Sequence, residues 1–424
     1  MPLLLASLAK IIFMVLVILL MLVVLIWAER KGSAFIQDRT GPNRAQIGGV
    51  RLAGLIHPIA DVFKLLFKED VRPTNRHEAL YTLAPFTVMV VALTTYAVIP
   101  FGDYIEIGAE RIPLVVADLN VGILYVLAIA SLGTYGVVMA GWASNNKYSF
   151  LGGVRAGAQM VSYEIAMGLA IMGLLMIFST LRVTEIVAGQ GDLLWGFLPK
   201  WGVVVQPLGF LLFITAVFAE TNRNPFDLPE GESEIVAGFH LEYSSMKFAL
   251  FFMAEYAHLV VAGALIATLF FGGYQIPWLP RRLLEQHAGL ILPLVMGATV
   301  LACSWLTVLF WRRARRERGK FGDARDREPI LMGLGCAAVA LLVLLAFGLQ
   351  PWRIGPPGAS LFATLIQIGT FLTKVAFFAW LFIWVRWTLP RFRYDQLMVL
   401  GWKVMIPLGL ANLVVTALIM ALVA

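Results

Sequence analysis

Cysteine is almost missing from this sequence. The two present, Cys303 and Cys336, both lie in apolar runs, where a lone thiol packs as a small hydrophobe. An iron–sulfur cluster typically takes four ligands and a structural zinc four Cys or His, so neither can be assembled from cysteine here. Charge is thin as well: Asp, Glu, Lys and Arg make up 14% of the 424 residues, and apolar types 60%. A soluble domain cannot hide that much apolar surface. The apolar runs are continuous rather than alternating, which excludes a closed β-barrel and leaves an all-α polytopic membrane protein. The sequence has no Walker motif, no dinucleotide fingerprint after a strand and no HExxH, so the chain shows no means of its own for binding a nucleotide. Its net charge of +7 does not point to nucleic acid, because most of the basic residues flank the apolar runs.

Ten apolar runs suit a membrane span: 3–28, 80–101, 118–142, 158–180, 202–221, 247–272, 289–311, 330–350, 359–387 and 399–423. A crossing of about 30 Å takes roughly 20 such residues. The first run is too long for a cleaved signal peptide, and Ala28-Glu29-Arg30-Lys31 offers no convincing cleavage site. Loops after the odd-numbered runs carry 25 of the 33 Lys and Arg residues, from Arg30 and Lys31 through the cluster at 312–327 to Arg393 and Lys403. The alternate loops carry six: Arg111, Arg182, Lys200, Arg281, Arg282 and Arg353. The positive-inside bias puts the richer set in the cytoplasm and both termini outside.

The densest charge pattern runs from Glu220 to Glu255. Glu220, Asp227, Glu230, Glu232, Glu234 and Glu242 stand against two bases, Arg223 and Lys247, and Glu255 follows inside the next apolar run. Carboxylates in or beside a bilayer are costly to keep charged, and they mark an ion or proton path or a site facing protein and water. Glu164, Glu255 and Lys374 lie roughly 12–18 Å from the charge flanking their runs, at about 1.5 Å per helical residue. A polar path through the bundle accounts for them better than lipid exposure does. His258 shares a helix face with Glu255, and packing is the expected role for it rather than metal binding.

Leu52, Leu55, Ile56, Ile59, Phe63 and Leu66 recur at helical spacing among Arg51, Asp61, Lys64 and Lys68. That predicts an amphipathic interfacial helix over 49–68, either a plain anchor or one wall of a chamber for a lipid-soluble ligand. Before it, a Gly41-Pro42 turn sits among Asp38, Arg39 and Arg44, as partner contacts or solvated charges. The runs at 289–311 and 330–350 contain no acid or base. They are joined by a strongly basic loop with affinity for anionic lipid, and read as an inserted hairpin.

Four blocks, in order, then carry a family resemblance: AERKGSAFIQDRTGPNR with PIADVFKLLFKED, QMVSYEI, GESEIVAGFHLEYSSMKFALFFMAEY and RWTLPRFRYDQLM. Together they resemble the H subunit (subunit 1 family) of proton-pumping NADH:quinone oxidoreductase, respiratory complex I. The resemblance covers residues 1–275 and 359–424, and it implies three parts. These are a membrane core, 1–275, an inserted hairpin, 276–358, and the last two of eight family-type helices, 359–424. It further implies a translocase subunit of a bacterial cytoplasmic (inner) membrane that joins the membrane arm to the hydrophilic arm. Such a subunit forms the quinone chamber and couples quinone reduction to proton translocation.

Quinone would bind at an interface with partner subunits, while FMN and the iron–sulfur clusters sit on those partners alone. The implied partners are other complex I subunits of both arms, membrane lipid and quinone. Carried over, the resemblance makes Glu29, Arg30, Asp38, Arg39 and Asp61 chamber residues, with the helix 49–68 at its mouth. It makes Glu164, Glu220, Asp227, Glu230, Glu232, Glu234, Glu242 and Glu255 the acidic proton path, with Lys374 and Arg386 as counter-charges. The sequence departs from the family at His57, where Gln is common, at Ser245 for Gly, at His258 for Asn, and in the hairpin. Two readings compete: a homologous membrane subunit of a membrane-bound hydrogenase or other quinone oxidoreductase, and a stand-alone secondary ion transporter.

Overall fold

A computed structural model describes residues 2–48, 50–107, 110–317, 319, 327–348 and 355–423. Sixteen α-helices account for most of it. In chain order they are α1 (Pro2–Ile36), α2 (Ile56–Phe67), α3 (Glu78–Thr95), α4 (Gly122–Ala143), α5 (Lys147–Phe178) and α6 (Val183–Gly189). Next come α7 (Gly202–Val205), α8 (Pro207–Glu220), α9 (Glu232–Ile235), α10 (Ser245–Phe270) and α11 (Arg281–Gln286). The chain closes with α12 (Ala288–Glu317), α13 (Glu328–Gly348), α14 (Pro356–Thr388), α15 (Tyr394–Val399) and α16 (Ile406–Val423). The short ribbons Tyr104–Ile107 with Glu110–Pro113, and Leu193–Leu194 with Leu198–Pro199, are confined to loops. The protein is an all-α polytopic membrane protein.

Among the described residues nine helices are long and apolar enough to cross a membrane. The fifth predicted run, 202–221, is broken: α7 ends at Val205, and α8 begins at Pro207 and is 14 residues long. At about 1.5 Å per residue α8 rises roughly 21 Å, short of a full crossing. Proline at its first position explains the restart, since the missing N–H has no intrahelical partner there in any case. The break leaves Gln206 buried. Its side chain accepts from Asn412 Nδ2 at 2.9 Å and donates to Thr416 Oγ1 at 2.6 Å, so α16 satisfies it inside the protein.

α10 is the hub, packing against α1, α3 and α14, while α5 packs against α4, α8 and α16. Leu259, Ile266 and Phe270 of α10 are buried with Phe213, Phe371 and Phe382 of its neighbours. The pair α12–α13 lies outside this core. It is held by the cluster Ala288, Ala359 and Phe362 and by a buried ion pair between Glu328 and Arg51 at 2.6 Å.

Polar contacts sort the connections into two ends. One end joins Lys247 to Asp70 at 3.2 Å, Arg155 to Glu234 at 2.7 Å and Arg391 to Asp227 at 2.7 Å. The other joins Lys10 Nζ to the Val115 carbonyl at 2.7 Å and Arg281 Nη1 to the Tyr104 carbonyl at 2.8 Å. These are the same two sets of loops that the Lys and Arg distribution separates. The amphipathic helix predicted over 49–68 begins later, at Ile56, with Gly49 outside the described residues. Leu52–Gly54 makes a tight turn first, and Pro58 sits in the first turn of α2, where a helix tolerates proline.

Candidate functional site

The acidic stretch folds as a loop that closes over the ends of α5, α8, α10 and α14. Gln159 of α5 is fully buried and its amide donates to the carbonyls of Ala219 at 2.7 Å and Phe226 at 2.8 Å, clasping both sides of the chain reversal. Asn224 Nδ2 donates to the carbonyls of Arg386 and Leu389 at 2.8 Å each, which ties the loop to the end of α14. Gly238 adopts φ +60°, and a Cβ there would collide with the Pro229 carbonyl; a Cβ on Gly152 of α5 would stand 2.7 Å from Gly238 Cα. Glycine at both positions lets the loop lie flat on α5.

Arg223 is the centre of this arrangement. Its side chain is 0% exposed, with Nη1 2.5 Å from Glu29 Oε2 and Nε 2.7 Å from Glu255 Oε1. Its guanidinium stands 4.3 Å over the Tyr256 ring, and the Tyr256 hydroxyl donates to Glu29 Oε2 at 2.8 Å. Arg386 Nη1 reaches Glu29 Oε1 at 2.5 Å. Two carboxylates and two guanidiniums therefore balance, as buried charge requires. Burial opposes the charge on Arg223, but Glu255 and Glu29 more than offset it and hold the group cationic.

Around this set lie acids with weaker support. Burial pushes Asp227 up to about 6, with Arg391 and Arg386 offsetting part of the effect. Glu230 is pushed well above the usual carboxylate range, by burial first and then by Glu255 and Asp227. His240 Nδ1 lies 3.8 Å from Glu230, and burial lowers its pKa to about 4. With the His240 imidazole neutral at pH 7, that contact is not an ion pair.

The acids line adjoining spaces that share walls. An open pocket of about 770 Å³ is walled by Asn224, Asp227, Glu230, Arg386 and the segment Trp387–Arg391. Glu230 and Arg386 also line an inner cavity of about 190 Å³, with Glu220, Glu255, His240 and His258. Glu220, Thr221 and His258 in turn border a smaller apolar cavity of about 30 Å³, which runs inward along Val261, Leu265 and Leu269 of α10.

Of the residues picked out from sequence, Glu29, Glu220, Asp227, Glu230, Glu255 and Arg386 come together here. Glu164 is adjacent, hydrogen-bonded by Ser131 and close enough to Glu220 to act on it electrostatically. Glu234 pairs with Arg155 at the rim, and Glu242 accepts from Asn146 Nδ2 at 2.5 Å. The side chain of Glu232 lies outside the described residues. Arg30, Asp61 and Lys64 form a separate group beside α2, with Arg30 Nη1 2.5 Å and Lys64 Nζ 2.8 Å from Asp61. Burial there works against the Asp61 carboxylate, but the hydrogen bonds from Lys64 and Arg30 hold its pKa below the usual value. Asp38 and Arg39 are exposed, with Arg39 Nε on Gln37 at 2.6 Å.

Lys374 is not brought to the acids at all. Its ammonium donates to the carbonyls of Phe271, Gly273 and Gln275 at 2.7–2.8 Å, capping the far end of α10. Sequence reasoning missed Arg223, Gln159, Tyr256 and His240 as site residues. Arg223 carried a signal, being one of two bases in a long acidic stretch. No group of three or more potential metal ligands occurs among the described residues.

With this geometry in hand, relatives are informative. A sequence model of the family described as NADH dehydrogenase matches residues 9–323 and 330–417. The chain is 44% identical over 404 residues to the NADH-quinone oxidoreductase H subunit 1 of Solibacter usitatus, covering 93% of this chain and 91% of the relative. It is 42% identical over 399 residues to NADH-quinone oxidoreductase subunit 8 of Rhodothermus marinus, covering 94% and 92%. The chain belongs to the H-subunit family of NADH-quinone oxidoreductase. Cytophaga hutchinsonii has another similar protein, also an H subunit 1, that is 40% identical over 392 residues, covering 92% of this chain and 89% of the relative. The four blocks that carry the resemblance lie outside α12–α13, whereas the family match runs through both helices.

Proposed function

We propose that this member of the H-subunit family sits in a bacterial cytoplasmic membrane where the membrane arm of an NADH:quinone oxidoreductase meets the hydrophilic arm, and couples quinone reduction to proton translocation. Both termini then face the periplasm, and the acidic loop faces the cytoplasmic arm. The observation that carries the reading is the succession of adjoining spaces, the open pocket and the inner cavity sharing Glu230 and Arg386 as walls, that leads to the carboxylate Glu220. The exposed apolar row Ile59, Val62, Phe63, Leu66 and Phe67 on α2 supports a chamber mouth that a lipid-soluble quinone reaches from the bilayer. Flavin and iron–sulfur chemistry belongs to partner subunits, which deliver electrons to a quinone bound between them and this chain.

The coupling step is electrostatic. Arg391 and Arg386 hold down the proton affinity of Asp227, which burial raises. An anion formed on the quinone side draws on those guanidiniums, and Asp227 then takes up a proton. Glu230 and Glu255 share the cavity beyond, so protons redistribute inward toward Glu220. The test is Glu220→Gln and Glu234→Gln in the assembled complex, in sealed vesicles driven by NADH. E220Q is expected to lower proton translocation at least tenfold, and E234Q less, since Glu234 pairs with Arg155 at the rim. Wild-type quinone reduction and pumping in both variants would overturn the reading.

A further inference from the structure

We propose that the hairpin α12–α13 braces the chamber mouth, and that Glu328 is the positioning residue through which it sets the seat of α2 and so the entry of a long-tailed quinone. This rests on the reading of α2 as that mouth and adds the element that holds it in place. Glu328 is the first residue of α13, 277 residues along the chain from Arg51. Both side chains are buried, in residues only 5% and 3% exposed. Arg51 places Nη2 2.6 Å and Nε 2.7 Å from Glu328 Oε2, and Oε1 accepts from the Ala53 N–H at 3.1 Å. One carboxylate thus holds both a side chain and the backbone of the turn that leads into α2.

The turn is seated between α2 and the loop before it. Leu52 and Ala53 have φ +46° and +54°, a conformation that persists at such residues only where neighbours hold it. A Cβ on Gly54 would collide with the Pro42 carbonyl, so turn and loop meet backbone to backbone. His57 Nε2 accepts from the N–H groups of Arg44 and Ala45 at 3.4 and 3.3 Å. Lys31 Nζ donates to the Thr40 carbonyl at 2.7 Å. Loop 40–45 and α2 are therefore fitted to the turn on its two sides. At its other end α2 is tied to α10, where Ser245 Oγ lies 3.0 Å from the carbonyls of Leu65 and Lys68. Between the two ties it presents Ile59, Val62, Phe63 and Leu66 outward. With 12 residues at about 1.5 Å each, α2 is a lever of roughly 18 Å, and a shift at the turn is carried along this apolar row.

The kind of contact matters. Apolar residues would secure the hairpin about as firmly, since a buried ion pair gives back in desolvation much of what it gains in attraction. The far end of the hairpin has such an apolar attachment, at Ala288, Ala359 and Phe362. A planar guanidinium against a carboxylate adds direction, and here that direction fixes a turn rather than a helix face. Trp27 Nε1 donates to the Ala53 carbonyl at 3.0 Å, so α1 and α13 grip the two sides of one residue. A long apolar tail entering from the bilayer passes along the outward row of α2. A short-tailed quinone makes far less contact with that row, so the two substrates separate an effect on entry from an effect on the reaction.

The experiment compares Glu328→Gln, the double variant R51M/E328M, and Phe63→Ser on α2, in the assembled complex in lipid vesicles with NADH. Each is given the quinone head group that the wild type reduces, once with a ten-isoprene tail in the bilayer and once with a single isoprene in the medium. E328Q is expected to raise KM for the long-tailed quinone about fivefold at unchanged kcat and to leave KM for the short-tailed one within about twofold, a split that reports binding and not the chemical step. F63S is expected to show the same split. Equal loss with both quinones, or a lower kcat at unchanged KM, would overturn the brace. So would the split in E328Q without it in F63S, because the effect would not pass through α2. The split in F63S with wild-type behaviour of E328Q overturns the brace and leaves the mouth standing. Wild-type behaviour of both overturns the mouth, and the brace with it. Should E328Q fail to assemble, R51M/E328M, which strands no buried charge, decides in its place. Failure of both to assemble would make the pair a requirement of folding alone and overturn the brace.

Discussion

Arg223 holds two carboxylates and an aromatic face at once, and this sets what substitution there must do. Replacing it by Met keeps much of the stem but leaves Glu29 facing Arg386 alone and removes the cation from Glu255. Removing one partner of a buried ion pair costs about 3–5 kcal/mol, because the remaining charge is stranded. Arg223→Met should therefore reduce the folded, assembled subunit in membranes severely, as read by quantitative immunoblot and thermal stability in detergent. Arg223→Lys should fall only part-way back, since an ammonium cannot present the planar fork that spans both acids. Asp227 offers the complementary, titrating case. Its carboxyl is expected to lose a proton with a midpoint near 6, seen as a carboxyl infrared band absent from Asp227→Asn. Arg391 lowers that affinity from 2.7 Å away, so Arg391→Gln should move the midpoint upward. A midpoint that stays put would mean the pair is screened by solvent.

At the level of elements, the long spans were legible because a bilayer demands about 20 apolar residues wherever a helix crosses. The breaks and extensions were not. α5 starts at Lys147, well before the apolar run at 158, because the helix runs on through Lys147 and Arg155, which interrupt the apolar pattern, and is capped by the Asn146 side chain, which accepts from Tyr148 N at 2.9 Å. The break before α8 depends on Asn412 and Thr416, which lie about two hundred residues away in sequence. The hairpin α12–α13 looked inert in sequence, yet Glu328 at the head of α13 grips the turn before α2. Its carboxylate meets Arg51 Nε at 2.7 Å and the Ala53 N–H at 3.1 Å, where Leu52, Ala53 and Gly54 all have positive φ. Left-handed conformation at two non-glycine residues persists where the surroundings over-determine it. Glu328→Gln should loosen that turn, and since about 1.4 kcal/mol is tenfold in an equilibrium, amide exchange at 52–55 should rise at least tenfold. Unchanged exchange would show that Trp27, whose Nε1 donates to the Ala53 carbonyl at 3.0 Å, holds the turn alone.

Across the whole molecule, the acids of the site were visible as residue types, but their pairing was not. Glu29 meets Arg223 across 194 residues of sequence and Arg386 across 357, distances over which spacing carries no information. Only the bundle brings the ends of α1, α8, α10 and α14 to one corner. That corner belongs to the loop set holding 25 of the 33 basic residues, and the positive-inside rule predicts that it faces the cytoplasm. Sidedness is therefore the global prediction on which the functional reading depends. Trp195 is 81% exposed between α6 and α7, and Tyr394 is exposed at the start of α15 on the opposite end. With Cys303 and Cys336 replaced by Ala, single cysteines at 195 and 394 should react with an impermeant thiol reagent from opposite sides of sealed vesicles. Position 394 should label in inside-out vesicles and 195 in right-side-out cells. The reverse pattern would put the acidic loop and the open pocket outside the cell, away from any NADH-oxidising arm, and the coupling proposal would fall with it.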